Sequence, residues 1–524
     1  MDWSLPYPSR REPVLADAVV ATSQPLAVQA GLQAMREGGN AVDAAIAAAA
    51  TLTVVEPTSN GIGSDLFAIV WDGASLHGLN ASGRSPAGLD ADRLIAAGSI
   101  DLYGWDAVSV PGAVSGWTAL RQRFGRLELD RLVEPAARYA ETGYPVGPVT
   151  AAAWQRAAEV FAGVDDFRPF LPGGAAPLPG ERFAFVDQAR TLRMIGASDG
   201  EAFYTGELAE RMVAHAERTG GALRAADLVL HQPLDVAPLF QAFGDIVVHE
   251  LPPNGQGIAA LIALAIVEQL DIGALSPDSA AAIHLQAEAM KLAFADVHAA
   301  VADPDAMTVD PVALLDPDRI ARLAASVDPD RAGQPAPTPP AGGTVYLCTA
   351  DADGMLVSLI QSNFYGFGSG VVVPGTGISM SNRGAGFSTT PGHPNVVAPA
   401  KRPFSTIIPG FTTTRDGAPL AALGVMGGHM QPQGHLQVVL RTALWGANPQ
   451  AALDAPRWRV ESGLELAVED AITADVRAAL VQRGHDVVTD TAMGGFGGGQ
   501  SITRHGDSWL GASDPRKEGY AAGF

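Results

Sequence analysis

Basic residues are scarce in this 524-residue chain: 34 lysines and arginines stand against 56 aspartates and glutamates, a formal charge of −22. So acidic a composition argues against binding nucleic acid or an anionic membrane, which both select basic surfaces. Cysteine is scarcer still. Cys348 is the sole one, so no internal disulfide can form, and its setting in an apolar run reads as a small buried hydrophobe. Long apolar runs are missing too. The best, 41–55, is mostly alanine, is interrupted by Asp43, and is too short to span a bilayer. Residues 1–6 show no basic segment leading into an apolar run, so no signal peptide is read and the cytoplasm is the expected location. His284 and His298 lack an HExxH frame and read as core or surface histidines, not metal ligands. The glycine loop at 60–64 is not followed by Lys-Ser/Thr and leads into a strand, which excludes a phosphate loop. No Ser-His-Asp system is expected.

What the chain does have is 47% hydrophobic residues, enough for a sizeable core. A short strand is predicted at 19–23, helices at 24–36 and 41–54, and a strand at 66–71. Residues 109–117 lead into another helix, and 130–240 read as mostly helical. A tight loop at 251–257 opens a helix over 258–269, and 284–299 is amphipathic. After residue 344 the pattern turns to strands and glycine.

The change falls at Gly342-Gly343-Thr344, behind a proline-rich stretch at 335–340. The run from Thr344 to Thr349 reads as a strand, Asp351-Ala352-Asp353-Gly354 supplies turn chemistry, and 355–360 reads as the returning strand of a hairpin. Cleavage of the Gly343–Thr344 bond would give Thr344 a free α-amine beside its hydroxyl, and that amine could serve as the base. Its pKa of about 7.7–8.0 leaves a useful fraction neutral near pH 7. Alone, Gly-Gly-Thr before a strand is an ordinary loop.

Other residues keep it company: Gly38-Gly39-Asn40-Ala41-Val42-Asp43, Glu56-Pro57, Val110-Pro111-Gly112, Ala293-Phe294-Ala295-Asp296, Gly366-Phe367-Gly368-Ser369-Gly370, Lys401-Arg402-Pro403, Gly427-Gly428 and Asp514-Pro515-Arg516. In this order and spacing the chain resembles the γ-glutamyltranspeptidases and their acylase-like relatives, which are N-terminal nucleophile hydrolases. The resemblance implies an α+β fold, a four-layer αββα sandwich. It implies one precursor cut into a large subunit, 1–343, and a small one, 344–524, that stay together. It also implies a small-molecule amide substrate and neither metal nor organic cofactor. Thr344 would be the nucleophile, Ser362 a hydroxyl bonded to it, Gly427 and Gly428 the oxyanion-hole amides, and Ser405 and Thr406 holders of the acyl group. Asn363 falls one place off a family asparagine that contacts substrate.

The departures concern the acyl donor. Ser82 falls where the family has a carboxylate-binding arginine, and Arg84 could replace it only with a shifted loop. In Asn382-Arg383-Gly384-Ala385-Gly386-Phe387, Gly386 stands where the family has the aspartate that binds the substrate's α-ammonium, and Arg383 replaces a glutamine. A buried ammonium without a carboxylate is costly. Arg383 suits a carboxylate, so the expected donor is a dicarboxylic mono-amide without an α-amine. A true γ-glutamyl donor and an uncut, non-catalytic binding protein are the alternatives. Residues 387–401 are too short for the lid of some relatives, which predicts a more open site.

Overall fold

The computed structural model of the chain describes residues 10–333, 343–490 and 495–524. The proline-rich stretch read at 335–340 lies outside the described residues.

Alternation along the strand Val345–Ala350 sets the layering. Val345 and Leu347 point to one side, into a core shared with the helices Pro25–Arg36, Ala41–Val55 and Leu129–Thr142. Tyr346, Cys348 and Ala350 point to the other, into a core shared with Phe411, Ala422 and Ile502 of a second sheet. A period of two is what a strand buried on both faces requires. The second sheet turns its outer face to the helices Ile258–Glu268, Ala280–Ala300 and Met430–Val439. Three cores between four layers make an αββα sandwich.

Each sheet has seven strands. The first runs Tyr520–Gly523, Val19–Thr22, Val345–Ala350, Leu356–Ser362, Asp65–Trp71, Leu76–Asn80, Leu234–Val236. The second runs Val14–Ala16, Ser508–Ser513, Gly498–His505, Pro419–Met426, Gly410–Thr414, Ile246–Glu250, Leu239–Phe243. All pairings within the two sheets are antiparallel. The hairpin expected after Thr344 is central to the first sheet, with Val345 opposite Gln361 and Ala350 opposite Leu356. The edge strand Leu234–Val236 falls inside the region read as helical, and Leu239–Phe243 straddles its end. They are short and half-buried, so no clean alternation marks them.

The helix Ala41–Val55 is buried along its whole length. Asn40 Oδ1 accepts from Val42 N and Asp43 N, and Asp43 Oδ2 accepts from Asn40 N, a reciprocal cap. Asp351 Oδ2, at the hairpin's turn, accepts from Ala41 N at 2.9 Å. Helix start and hairpin turn thus fix each other, and the Gly-Gly-Asn-Ala-Val-Asp run is explained as a cap. His284, Glu288 and His485 meet in the interior, where Lys291 Nζ lies 2.8 Å from Glu288 Oε1 and balances its charge. His298 stacks on Phe294. Gly196-Ala197-Ser198-Asp199-Gly200 has the spacing of a nucleophile elbow, but Ser198 closes a helix, with its hydroxyl on Met194 O, and is not on a strand-to-helix turn.

Candidate active site

Thr344 and Ser362 stand at the same end of the hairpin, on its sheet-facing side. Gln361, one residue earlier, points the other way; it accepts from Trp117 Nε1 at 3.0 Å and donates to Asn60 Oδ1 at 2.8 Å. This anchor holds the register and hence the side on which Ser362 emerges. Thr344 is 2% exposed and Ser362 fully buried.

The hydrogen bonds converge on the peptide before Thr344. Thr344 Oγ1 donates to Gly343 O at 2.7 Å, and Ser362 Oγ donates to the same oxygen at 2.8 Å. The two hydroxyl oxygens are 3.2 Å apart, and Phe364 N donates to Ser362 Oγ at 2.8 Å. Gln431 Nε2 is 3.5 Å from Thr344 Oγ1. Cys348 lies on the same strand, but burial pushes its thiol far above the usual range, so it is no competing nucleophile.

Thr344 and Gly343 open on a cavity of about 630 Å³ that Gly427 also lines. Its walls include Tyr103, Phe161, Tyr365 and Phe367, with Arg156, Arg459 and Lys517 as cations. Arg459 is paired with Glu461 and Asp490. Arg156 is exposed and has no ion-pair partner among the described residues. The Gly427-Gly428 turn needs positive φ at both residues, 120° and 60°, which glycine adopts freely. Gln256 Nε2 braces it, donating to Gly428 O at 2.9 Å and to Thr406 O at 2.7 Å.

The acyl-binding candidates form a second, buried cluster. Arg383 is fully buried: Nε donates to Asp65 Oδ2 at 3.1 Å, Nη1 to Thr406 Oγ1 at 2.9 Å, and its guanidinium lies over the Phe364 ring at 4.7 Å. Arg383 Nη2, Asn363 Nδ2 and Ser405 Oγ are buried and have no hydrogen-bond partner among the described residues. Ser64 Oγ donates to Asn363 Oδ1 at 2.8 Å, which turns the amide so that its donor is the spare end. Burial pushes the Asp65 carboxyl up, against the pull of Arg383.

Arg84 is elsewhere. It is ion-paired to Asp303 at 2.8 Å and Asp305 at 3.3 Å and bonded to Ala400 O; neither it nor Arg383, Asn363, Ser405 or Thr406 lines the cavity. The segment 387–401 folds back on itself, Phe387 and Val397 packing on Leu89 and Leu94.

Sequence reasoning passed over Asp65, Gln256 and Gln431. Only Gln431 carried a signal, as one of three glutamines in Gln431-Pro432-Gln433-Gly434-His435-Leu436-Gln437 directly after the glycine pair.

The γ-glutamyltranspeptidase family model matches residues 27–524. The chain belongs to the γ-glutamyltranspeptidase family. Among its relatives is the oxamate amidohydrolase proenzyme of Klebsiella pneumoniae, 37% identical over 518 residues, which cover 95% of this chain and 97% of that one. The glutathione hydrolase-like YwrD proenzyme of Bacillus subtilis is 34% identical over 519 residues, 97% of this chain and 98% of that one. A crystal structure of cephalosporin acylase from Bacillus halodurans superposes with a TM-score of 0.96 at 46% identity, over 100% of this chain and 99% of that one. As a γ-glutamyltranspeptidase-family member the chain is an N-terminal nucleophile amidohydrolase. No helix among the described residues is long and apolar enough to cross a membrane.

Proposed function

We propose that this family member cuts itself between Gly343 and Thr344, and that Thr344 then hydrolyses the amide of a dicarboxylic mono-amide lacking an α-amine. The observation that carries the first half is the double donation to Gly343 O from Thr344 and Ser362. When Oγ1 attacks the Gly343 carbonyl carbon, negative charge develops on that oxygen, and the Ser362 hydroxyl is already aimed at it. The Oγ–C bond forms, the C–N bond breaks, and the hydroxyl proton passes to the departing nitrogen. Water then hydrolyses the ester, leaving the Gly343 carboxylate and a free Thr344 amine and hydroxyl. In the mature enzyme the amine takes the proton from Oγ1 and returns it to the leaving amine of the substrate.

Two features support the acyl half. A Cβ at Gly386 would lie 2.8 Å from Phe404 O, so an ammonium-binding carboxylate has no room there. The spare donors Arg383 Nη2, Asn363 Nδ2 and Ser405 Oγ suit an acceptor-rich group such as a carboxylate. The name of the Bacillus subtilis relative favours a γ-glutamyl donor as the second reading.

The test starts from mass under denaturing conditions. The wild type is expected as two fragments, the second beginning at Thr344, and Thr344→Ala as one inactive chain of 54.0 kDa. Glutaryl-p-nitroanilide is expected to turn over faster than γ-glutamyl-p-nitroanilide; the reverse preference would sink the acyl half alone. A Thr344→Ala protein indistinguishable from an uncut wild type would instead favour a non-catalytic binding protein.

A further inference from the structure

The helix Met430–Val439 carries three buried glutamines with different employment. Gln433 Oε1 accepts from Val460 N at 2.7 Å, and its Nε2 donates to Val460 O at 3.3 Å and His429 O at 3.1 Å. Gln437 does the same at Trp458, accepting at 3.4 Å and donating at 3.0 Å. Both hold the strand Trp458–Val460 by closed amide pairs. Gln431 does not. Its Oε1 accepts from Ile408 N at 2.9 Å, which fixes the direction of the amide. Its Nε2 therefore faces the other way, and the acceptor it meets among the described residues is Thr344 Oγ1, at 3.5 Å. The side chain is fully buried, so water does not compete for the donor.

An amide nitrogen donates and cannot take a proton. Beside Oγ1 it has one use, which is to favour charge on that oxygen. We propose that Gln431 is a further catalytic residue, its amide donating to Thr344 Oγ1 in every step in which that oxygen carries negative charge. The inference rests on Thr344 being the nucleophile. During acylation Oγ1 gives its proton to the α-amine and forms the C–O bond. During deacylation water adds to the ester, the C–Oγ bond breaks, and Oγ1 leaves with the electron pair before recovering its proton from the ammonium. A charge-assisted bond is short, about 2.7–2.9 Å, so the 3.5 Å contact of the resting hydroxyl should tighten as charge builds. The donor also directs the hydroxyl's own hydrogen away from Gln431, towards Gly343 O in the uncut chain and the amine after cleavage.

The experiment uses Gln431→Met, of similar length but without the donor, and Gln431→Glu, which donates only when protonated. Fragment formation and anilide hydrolysis are followed in both, with thermal midpoints measured alongside. Gln431→Met is expected to lower kcat about 10- to 100-fold with KM within about twofold, and to slow self-cleavage by a similar factor. Gln431→Glu is expected to recover relative to wild type as pH falls, a signature that lost packing would not produce. Rates within about twofold of wild type for both variants would overturn the inference, as would a Gln431→Glu deficit that ignores pH. If the wild type is active while the variants match it, Gln431 alone is misassigned. If the wild type neither cuts itself nor hydrolyses either anilide, the Thr344 reading fails and Gln431 falls with it.

Discussion

Arg457–Asp514 and Arg383–Asp65 are both ion pairs with side chains 2% exposed or less, one bonded to Phe496 O and Gly499 N and one in the acyl cluster. Their surroundings differ. Asp514 Oδ2 accepts from Arg457 Nη2 at 2.6 Å and Gly499 N at 2.7 Å, and Oδ1 accepts from Arg516 N at 2.9 Å. Burial alone would raise this carboxyl, but Arg457 and Arg516 overcome it and hold it below the usual range. Asp65 has one arginine at 3.1 Å and one backbone donor, Gly83 N, at 3.2 Å. There burial wins and the carboxyl is pushed up. The arginines are alike, since Arg457 Nε and Arg383 Nη2 are each buried without a hydrogen-bond partner among the described residues; the carboxylates differ, and the fully supported Asp514 is scaffolding. Asp65, with fewer donors, leaves Arg383 less firmly held.

The largest effect should come from the pair with the better-supported carboxylate. Asp514→Asn leaves Arg457 buried without its carboxylate, while Arg516 keeps Glu469, and should cost about 3–5 kcal/mol at pH 7, read from a denaturant midpoint. The pH dependence has a definite sign. A carboxyl whose folded pKa is depressed contributes stability that is fully present above its unfolded value, about 3.9, and is lost as pH falls through the folded value. The gap between wild type and variant should therefore close in acid.

Asp65→Asn should cost less, about 1–3 kcal/mol, because burial already opposes the charge it removes and Arg383 keeps Thr406 and the Phe364 ring. The sign is also opposite. With its folded pKa raised, the Asp65 carboxyl is less easily ionised in the native state, so acidification does not withdraw stability through it. The gap should not close as pH falls. Equal costs and equal acid dependence for the two variants would abolish the distinction. With Arg383 released from Asp65, KM for glutaryl-p-nitroanilide should fall.

What was legible in the sequence follows from distance along the chain. Thr344 and Ser362 are 18 residues apart on one hairpin, so period-two alternation and a single turn bring them together. The cap at Asn40 and the glycine pair at 427–428 are local as well. Asp65 meets Arg383 across 318 residues, and Gln431 meets Thr344 across 87; neither pairing leaves a periodic or capping trace. The acyl-side expectation named Arg383 and Thr406 separately; the hydrogen bond joining them links a one-turn helix to a loop 23 residues on, which no periodicity marks. The same holds for Leu234–Val236 and Leu239–Phe243, which are strands because sheet edges were open beside Leu76–Asn80 and Ile246–Glu250.

The smallest effect separates Arg383 from the other candidate arginine. Arg84 is about a third exposed, and its partners Asp303 and Asp305 are more than 200 residues away in sequence, so nothing in its own neighbourhood announced that it was taken. Asp303 also accepts from Arg402 N at 2.7 Å, so the carboxylate keeps a donor when Arg84 is removed. Solvent screens the exposed guanidinium and limits what the ion pair contributes. Arg84→Ala should therefore cost under about 1 kcal/mol and move KM for glutaryl-p-nitroanilide by less than about twofold. A KM rise of about tenfold, without a matching loss of stability, would mean that the loop carrying Arg84 swings onto the acyl group in the mature enzyme, and that carboxylate binding does not belong to the Arg383 cluster.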